Sequence, residues 1–106
     1  MLFKPEHKKM ILEGKKTATR RVWKKPRVKV GGIYKAKLKM LSKDYFAKIK
    51  VTNLFKQPLA EMTQQDFEKE GYPQPNDFIF IWSQINGGWD RNMVVDVIEF
   101  EVVKNE

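Results

Sequence analysis

The chain has 106 residues, 42% of them hydrophobic and 12% aromatic, which suits one domain built round one modest core. It holds no cysteine and a single histidine, His7, which excludes disulfides, thiolate zinc sites and cysteine nucleophiles and leaves no expectation of a metal or cofactor. The net charge of +8 is uneven: residues 1–53 carry 17 Lys/Arg against 3 Asp/Glu, and residues 54–106 carry 4 against 10.

Two halves that share one core turn this asymmetry into a basic side and an acidic side. A basic side attracts phosphates and releases counterions on binding nucleic acid, so the expected ligands are nucleic acids, nucleotides or nucleosides. No apolar run approaches the roughly 20 residues of a membrane span. The polar turn after Met-Leu-Phe-Lys-Pro is not a secretory signal, so the expected compartment is the cytoplasm. Residues 1–106 are read as a single domain.

Leu2 and Phe3 open with a short strand. Pro5 suits the first turn of a helix and Glu6 its positive end; His7, Met10 and Ile11 recur at helical spacing, and Gly14 stops it. His7 is expected on or beside the packed face, with no catalytic part. Thr17 to Trp23 reads as a strand, "KKPR" as a break and "VGG" as a turn. From Ile33 to Met40, Lys35, Lys37 and Lys39 alternate with Tyr34, Ala36, Leu38 and Met40, a half-buried strand with a lysine ladder on its wet face. Tyr45 to Thr52 repeats the pattern, and "LSKD" between the two predicts an antiparallel hairpin.

Residues 62–71, "MTQQDFEKEG", predict a helix capped by Thr63 and Asp66, stapled by Met62 and Phe67, and ended by Gly71. After the loop "YPQPND", Asn76 or Asp77 caps a further helix that buries Phe78, Ile81, Trp82 and Ile85. "NGGWDRN" is a loop and Met93 to Val103 a long final strand. Strands with inserted helices make a small α+β domain, in the manner of a partly closed barrel.

The segment "ILEGKKTATRR" resembles the signature of ASCH domains, members of the PUA-like superfamily: a helix end, then Gly14, Lys15, Lys16, Thr17, Thr19 and Arg21. "VGGIY", "LAEMTQQDFEKEGY" and "VVDVIEFEVV" resemble the family in the same order along nearly the whole chain. The resemblance implies a small PUA-like mixed β-barrel with helices covering its openings, a cleft beside "GKKT", and RNA or modified nucleosides as ligands. Some bacterial members are amidohydrolases that remove the acetyl group from the exocyclic amine of acetylcytidine. Their catalytic lysine, threonine and glutamate fall on Lys16, Thr19 and Glu70, and Arg21 matches the arginine that closes the motif. Others resemble RNA-binding modules, and ribonuclease activity is suggested for some, so the fold does not fix the reaction.

The residues themselves bear on this choice. A threonine hydroxyl attacks an amide only if a neighbour takes its proton, and a lysine serves if burial or nearby positive charge lowers its pKa. Lys15, Arg20 and Arg21 supply such charge; Glu70 opposes it, which suits it to orienting Lys16 or shuttling a proton. The alternative is that Thr19 only positions a water and Glu70 is the base. Strand alternation sets Lys16 and Arg20 on the face opposite Thr19 and Arg21, so Lys16 and Thr19 meet only if Lys16 lies outside the pleat at the helix junction, or at a bulge. Tyr72, Trp23 and Trp89 offer faces to stack on a base, Trp89 being the least core-like. The expected binding set is therefore Lys15, Thr17, Arg20, Arg21, Tyr72 and Trp89. The competing expectation is a non-catalytic RNA-binding module that uses Lys15, Arg20, Arg21 and the lysine ladders.

Overall fold

The computed structural model describes residues 1–104. Helix α1 (Pro5–Leu12) leads into strand β1 (Ala18–Arg21), followed by β2 (Ile33–Ala36) and the long β3 (Ala47–Pro58). A single 3-10 turn, Leu59–Glu61, then precedes helices α2 (Gln64–Lys69) and α3 (Pro75–Asn86), and β4 (Val94–Val102) closes the chain. The sheet order is β1-β4-β3-β2 with every pairing antiparallel, and a parallel bridge from Leu2 to Lys37 adds the mixed element. The sheet curls into a half-barrel, an α+β architecture in line with the expected barrel. Among the described residues no helix is long and apolar enough to cross a membrane.

The curl has a local cause. The β3–β4 register shifts between Val51 and Asn53, leaving Thr52 as a bulge that bends β3. The core divides accordingly. Phe3, Ile11, Ala36, Ile49 and Phe100 pack in one cluster, with α1 over them. Leu59, Phe67, Phe78, Trp82 and Val95 pack in a second, under α2 and α3. Val28, Val51 and Ile98 join a smaller third cluster beneath the β1–β2 connection.

Several expectations hold in detail. Thr63 and Asp66 form a reciprocal capping box, and Met62 packs beside Phe67. The hairpin pairs Ile33 with Lys50 and Lys35 with Lys48. Others are corrected. The second strand ends at Ala36, and beyond it Met40 and Leu41 are exposed rather than half-buried. α3 starts at Pro75, not behind an Asn76 or Asp77 cap: proline at the first helical position needs no amide partner. Phe78 and Trp82 are buried as expected, but Ile85 is exposed and Ile81 only half-buried, because they border a cleft.

Candidate active site

The site is built where two helix C-termini meet. α1 ends with Gly14 at φ 75°; its amide donates to the Ile11 carbonyl and that of Lys15 to the Met10 carbonyl, the two bonds of a Schellman stop. The Lys16 amide also donates to Met10, so Lys16 hangs on the end of the helix, before β1 begins. α2 ends the same way: Gly71 sits at φ 92°, its amide on the Glu68 carbonyl and that of Tyr72 on the Phe67 carbonyl. Glu70 is therefore the last residue of that helix turn. A Cβ on Gly71 would lie 2.7 Å from Met10 Sδ and 3.5 Å from Lys16 Cβ, so only glycine lets the two helix ends approach this closely.

Lys16 and Glu70 face each other across this junction, each only 2% exposed. Lys16 Nζ donates to Glu70 Oε1 at 2.8 Å and to the Glu70 carbonyl at 3.1 Å. Arg20 Nη1 donates to Glu70 Oε2 at 2.7 Å, and its Nη2 reaches Gln57 Oε1 at 2.8 Å and lies 3.7 Å from Asp66. A carboxylate at a helix C-terminus opposes the macrodipole; here two cations offset that conflict. Lys16 and Arg20 share the Glu70 carboxylate, with Asp66 at the edge of the cluster beside Arg20. Burial is the largest influence on Lys16 and pulls its pKa below the usual lysine value; Glu70 opposes this and Arg21 and Arg20 reinforce it.

The expected conflict with strand alternation resolves in two ways. Lys16 lies outside β1, and β1 is an edge strand, so side chains from both of its faces border one cleft. Thr19, buried, lies in that cleft with Lys16, Glu70 and Arg20. Thr19 Oγ1 accepts from Arg21 Nε at 3.3 Å. Arg21 is in turn fixed by the Leu2 carbonyl at 2.7 Å and by the Phe3 ring, 5.0 Å below its guanidinium. The Thr19 hydroxyl proton is left free to be removed, and an adjacent guanidinium favours the resulting oxyanion.

The cleft measures about 430 Å³, within the range that takes a small-molecule ligand. One wall is the apolar face of α3 with Phe78, Ile81, Trp82 and Ile85; the other is the N-terminal stretch of Leu2, Phe3, Lys4 and Pro5. His7 and Tyr72 join across its floor, His7 Nε2 lying 2.7 Å from the Tyr72 hydroxyl. Burial, with Lys16, Arg21 and Lys4 adding to it, pushes the His7 pKa down to about 3. The imidazole is therefore neutral near neutrality. Burial likewise raises Tyr72 to about 12, so it remains a phenol.

Of the expected site residues, the structure brings Lys16, Thr19, Glu70, Arg20, Arg21 and Tyr72 to one cleft. It does not bring Lys15, Thr17 or Trp89. Lys15 is exposed and pairs with Glu13 at 3.6 Å, on the far side of the Gly14 turn. The Thr17 backbone bonds to Lys69 and Phe100, and its side chain borders a different surface hollow. Trp89 packs edge-on to Phe78 in the second core cluster. Trp23 lies outside the cleft as well. Arg20 is an internal partner of Glu70 rather than an outward hand for ligand. His7 is buried on the packed side of α1 as expected; its bond to Tyr72, 65 residues away, has no local signal in the sequence. Among the described residues no group of three His, Asp or Glu side chains is placed to hold a metal ion.

No family model matches the chain, and no curated protein matches it. Solved structures do. An ASCH domain from Lactobacillus crispatus JV V101 superposes with a TM-score of 0.62 at 15% identity, over 90% of this chain and 69% of that one. Protein EF3133 from Enterococcus faecalis V583 gives 0.70 at 16% identity, over 92% and 67%. The hypothetical protein PH0355 gives 0.69 at 21% identity, over 97% and 96%. At these identities the likeness establishes the fold alone, the small α+β half-barrel that the Lactobacillus crispatus ASCH domain also has.

Proposed function

Taking this fold as the premise, we propose that the protein is an amidohydrolase that removes an acyl group from the exocyclic amine of a modified nucleoside such as acetylcytidine. The observation that supports this most is the buried Lys16–Glu70–Arg20 cluster lining, together with Thr19, a cleft of nucleoside size with apolar walls. Such a cluster is expensive to bury unless its chemistry is used.

The steps follow from the geometry. The base lies between the apolar wall of α3 and the N-terminal stretch, with its acylamide toward Thr19. Lys16, its pKa lowered by burial, reacts in its neutral form and takes the Thr19 proton as the oxygen attacks the acyl carbon. Arg21, held at Thr19 by its own Nε, stabilises the oxyanion. The protonated Lys16, now paired with Glu70, returns the proton to the leaving amine as the C–N bond breaks. Water then cleaves the acyl-threonine ester by the same base, releasing the carboxylic acid. Glu70 and Arg20 hold Lys16 in place throughout; His7 and Tyr72 give the cleft a neutral polar floor.

The test is incubation of the pure protein with acetylcytidine and related acylated nucleosides, with products resolved by chromatography. The expected products are cytidine and acetate in equal amounts. Thr19→Ala separates the nucleophile from its alternative: loss of turnover assigns the attack to Thr19, and retained turnover assigns it to water. Inertness toward every acylated nucleoside would remove the proposal.

A further inference from the structure

A second groove, of about 760 Å³, adjoins the cleft and shares Leu2 and Arg21 with it. Arg21, Arg27, Lys35 and Lys37 border it, and no carboxylate does. Among the described residues none of these four cations makes an ion pair, whereas Lys15, Lys16, Arg20, Lys56 and Lys69 all do. Trp23 and Tyr34, both half-buried, give the groove aromatic surface.

The groove is a held surface rather than a loose one. Trp23 and Arg27 come from the long β1–β2 connection, which Val28 pins into the core with Val51 and Ile98. Gly31 and Gly32 tie the end of that connection to the Val51 backbone. The Tyr34 hydroxyl accepts from the Lys29 amide at 2.9 Å. Lys37 Nζ is steadied by the Ser42 carbonyl at 2.9 Å, and Lys35 Nζ lies 5.1 Å from the Tyr45 ring.

Unpaired cations around aromatic surface suit a single nucleic-acid strand: the charges follow the phosphates and the rings take a base. A duplex does not suit, because its exocyclic amines face the pairing partner and cannot enter a cleft without leaving the stack. Leu2 and Arg21 belong to both surfaces, so the cleft and the groove adjoin at the guanidinium partner of the Thr19 side chain. We infer that the groove seats the phosphate ester attached to the nucleoside whose acylated base occupies the cleft. The substrate is then a nucleotide or a base within a single strand, not a free nucleoside. This rests on the proposed hydrolysis but engages residues outside it.

Two measurements on wild type and on Arg27→Ala/Lys35→Ala test it. The first compares kcat/KM on acetylcytidine, on its 5′- and 3′-monophosphates, and on a single strand of about six nucleotides carrying one acetylcytidine. Wild type is expected to favour the phosphate-bearing substrates by about tenfold or more, and the variant to bring that ratio toward one. Equal use of nucleoside and nucleotide by wild type, or a preference that survives in the variant, overturns the inference and leaves the hydrolysis standing. A further gain from monophosphate to oligonucleotide assigns the groove to a strand; none assigns it to a mononucleotide. The second follows binding of a fluorescent unmodified oligoribonucleotide across salt concentrations, and needs no turnover. Each lost phosphate contact should shallow the log–log slope by about 0.7. Identical slopes for the two proteins, or no binding at low salt, overturn the inference. Variant-sensitive binding with no turnover of any acylated substrate supports the groove and sinks the hydrolysis instead.

Discussion

Lys16 and Lys35 are the same residue type in opposite surroundings. Lys16 is 2% exposed, hydrogen-bonded three ways at the meeting of two helices, and shares one carboxylate with Arg20. Lys35 is exposed on the β2–β3 face, directly opposite Lys48, with only the Tyr45 ring beneath both ammonium groups. In the first region every charge is fixed and altered by its neighbours. In the second both charges are solvated and, among the described residues, neither is paired with a carboxylate. The excess of lysine in the first half of the chain thus has two meanings. One lysine is fixed in a buried cluster; the exposed ones on the β2–β3 face contribute positive charge to the surface.

The largest expected effect is at Glu70. Glu70→Ala takes from the buried Arg20 its close carboxylate and from Lys16 Nζ its acceptor, and should lower unfolding free energy by about 3–5 kcal/mol in urea titrations. Lys16→Met leaves the Arg20–Glu70 pair in place, so it should cost much less stability while abolishing turnover. An equal loss from the two substitutions would mean that the cluster is not organised round the carboxylate.

Next is the glycine that lets the helix ends touch. Gly71→Ala meets both a left-handed backbone and the Met10 sulfur, whereas Gly14→Ala, at φ 75°, meets open space. Gly14→Ala should cost about 1 kcal/mol from backbone alone. Gly71→Ala should cost more, and should slow turnover by moving Lys16 away from Glu70. Thermal melts of the two variants, run together, make the comparison.

The pH dependence follows from the same burial. The lowered Lys16 pKa means that the neutral amine appears, and turnover climbs, as pH rises through a value below 10.5. Between that value and the ordinary one the unfolded chain binds the proton and the native chain does not, so stability also rises with pH there. His7, held down to about 3, acts in the same sense at acid pH. The unfolded state takes up a proton below about 6.5 and the native state refuses it until about 3. Stability should fall as pH drops through that window, and His7→Gln should flatten the fall. The smallest effect is on the solvated face. Lys48→Ala removes a like charge directly opposite Lys35 and should leave stability unchanged or raise it by about 0.5 kcal/mol. A large loss there would blur the contrast between the two regions.

The sequence made local punctuation plain and long-range closure obscure. Pro5, Gly14, the Thr63–Asp66 box and Gly71 each act on neighbours within a few positions, so their elements could be read directly. The bulge at Thr52 breaks the alternation along β3, which is why the strand seemed to end there and in fact runs to Pro58. Trp89 looked like a surface residue in a polar loop, because nothing near it shows Phe78 folding over from α3. Lys16, Thr19 and Glu70 were picked out by resemblance, and the structure places them together. Arg20 was read as a ligand contact, because its partner Glu70 lies 50 residues on. No local pattern reveals that both Glu70 oxygens are held by buried side chains, one from Lys16 and one from Arg20.

The most direct test of the central claim, that Lys16 works as a neutral base inside this cluster, is turnover of acetylcytidine by Lys16→Arg against wild type. A melting curve establishes that the variant is folded. Arginine keeps the positive charge and the reach to Glu70 but does not give up its proton at any accessible pH. The account predicts a folded variant in which cytidine release falls by at least about a hundredfold, the usual worth of a positioned base. A folded Lys16→Arg protein that releases cytidine at close to the wild-type rate would contradict it.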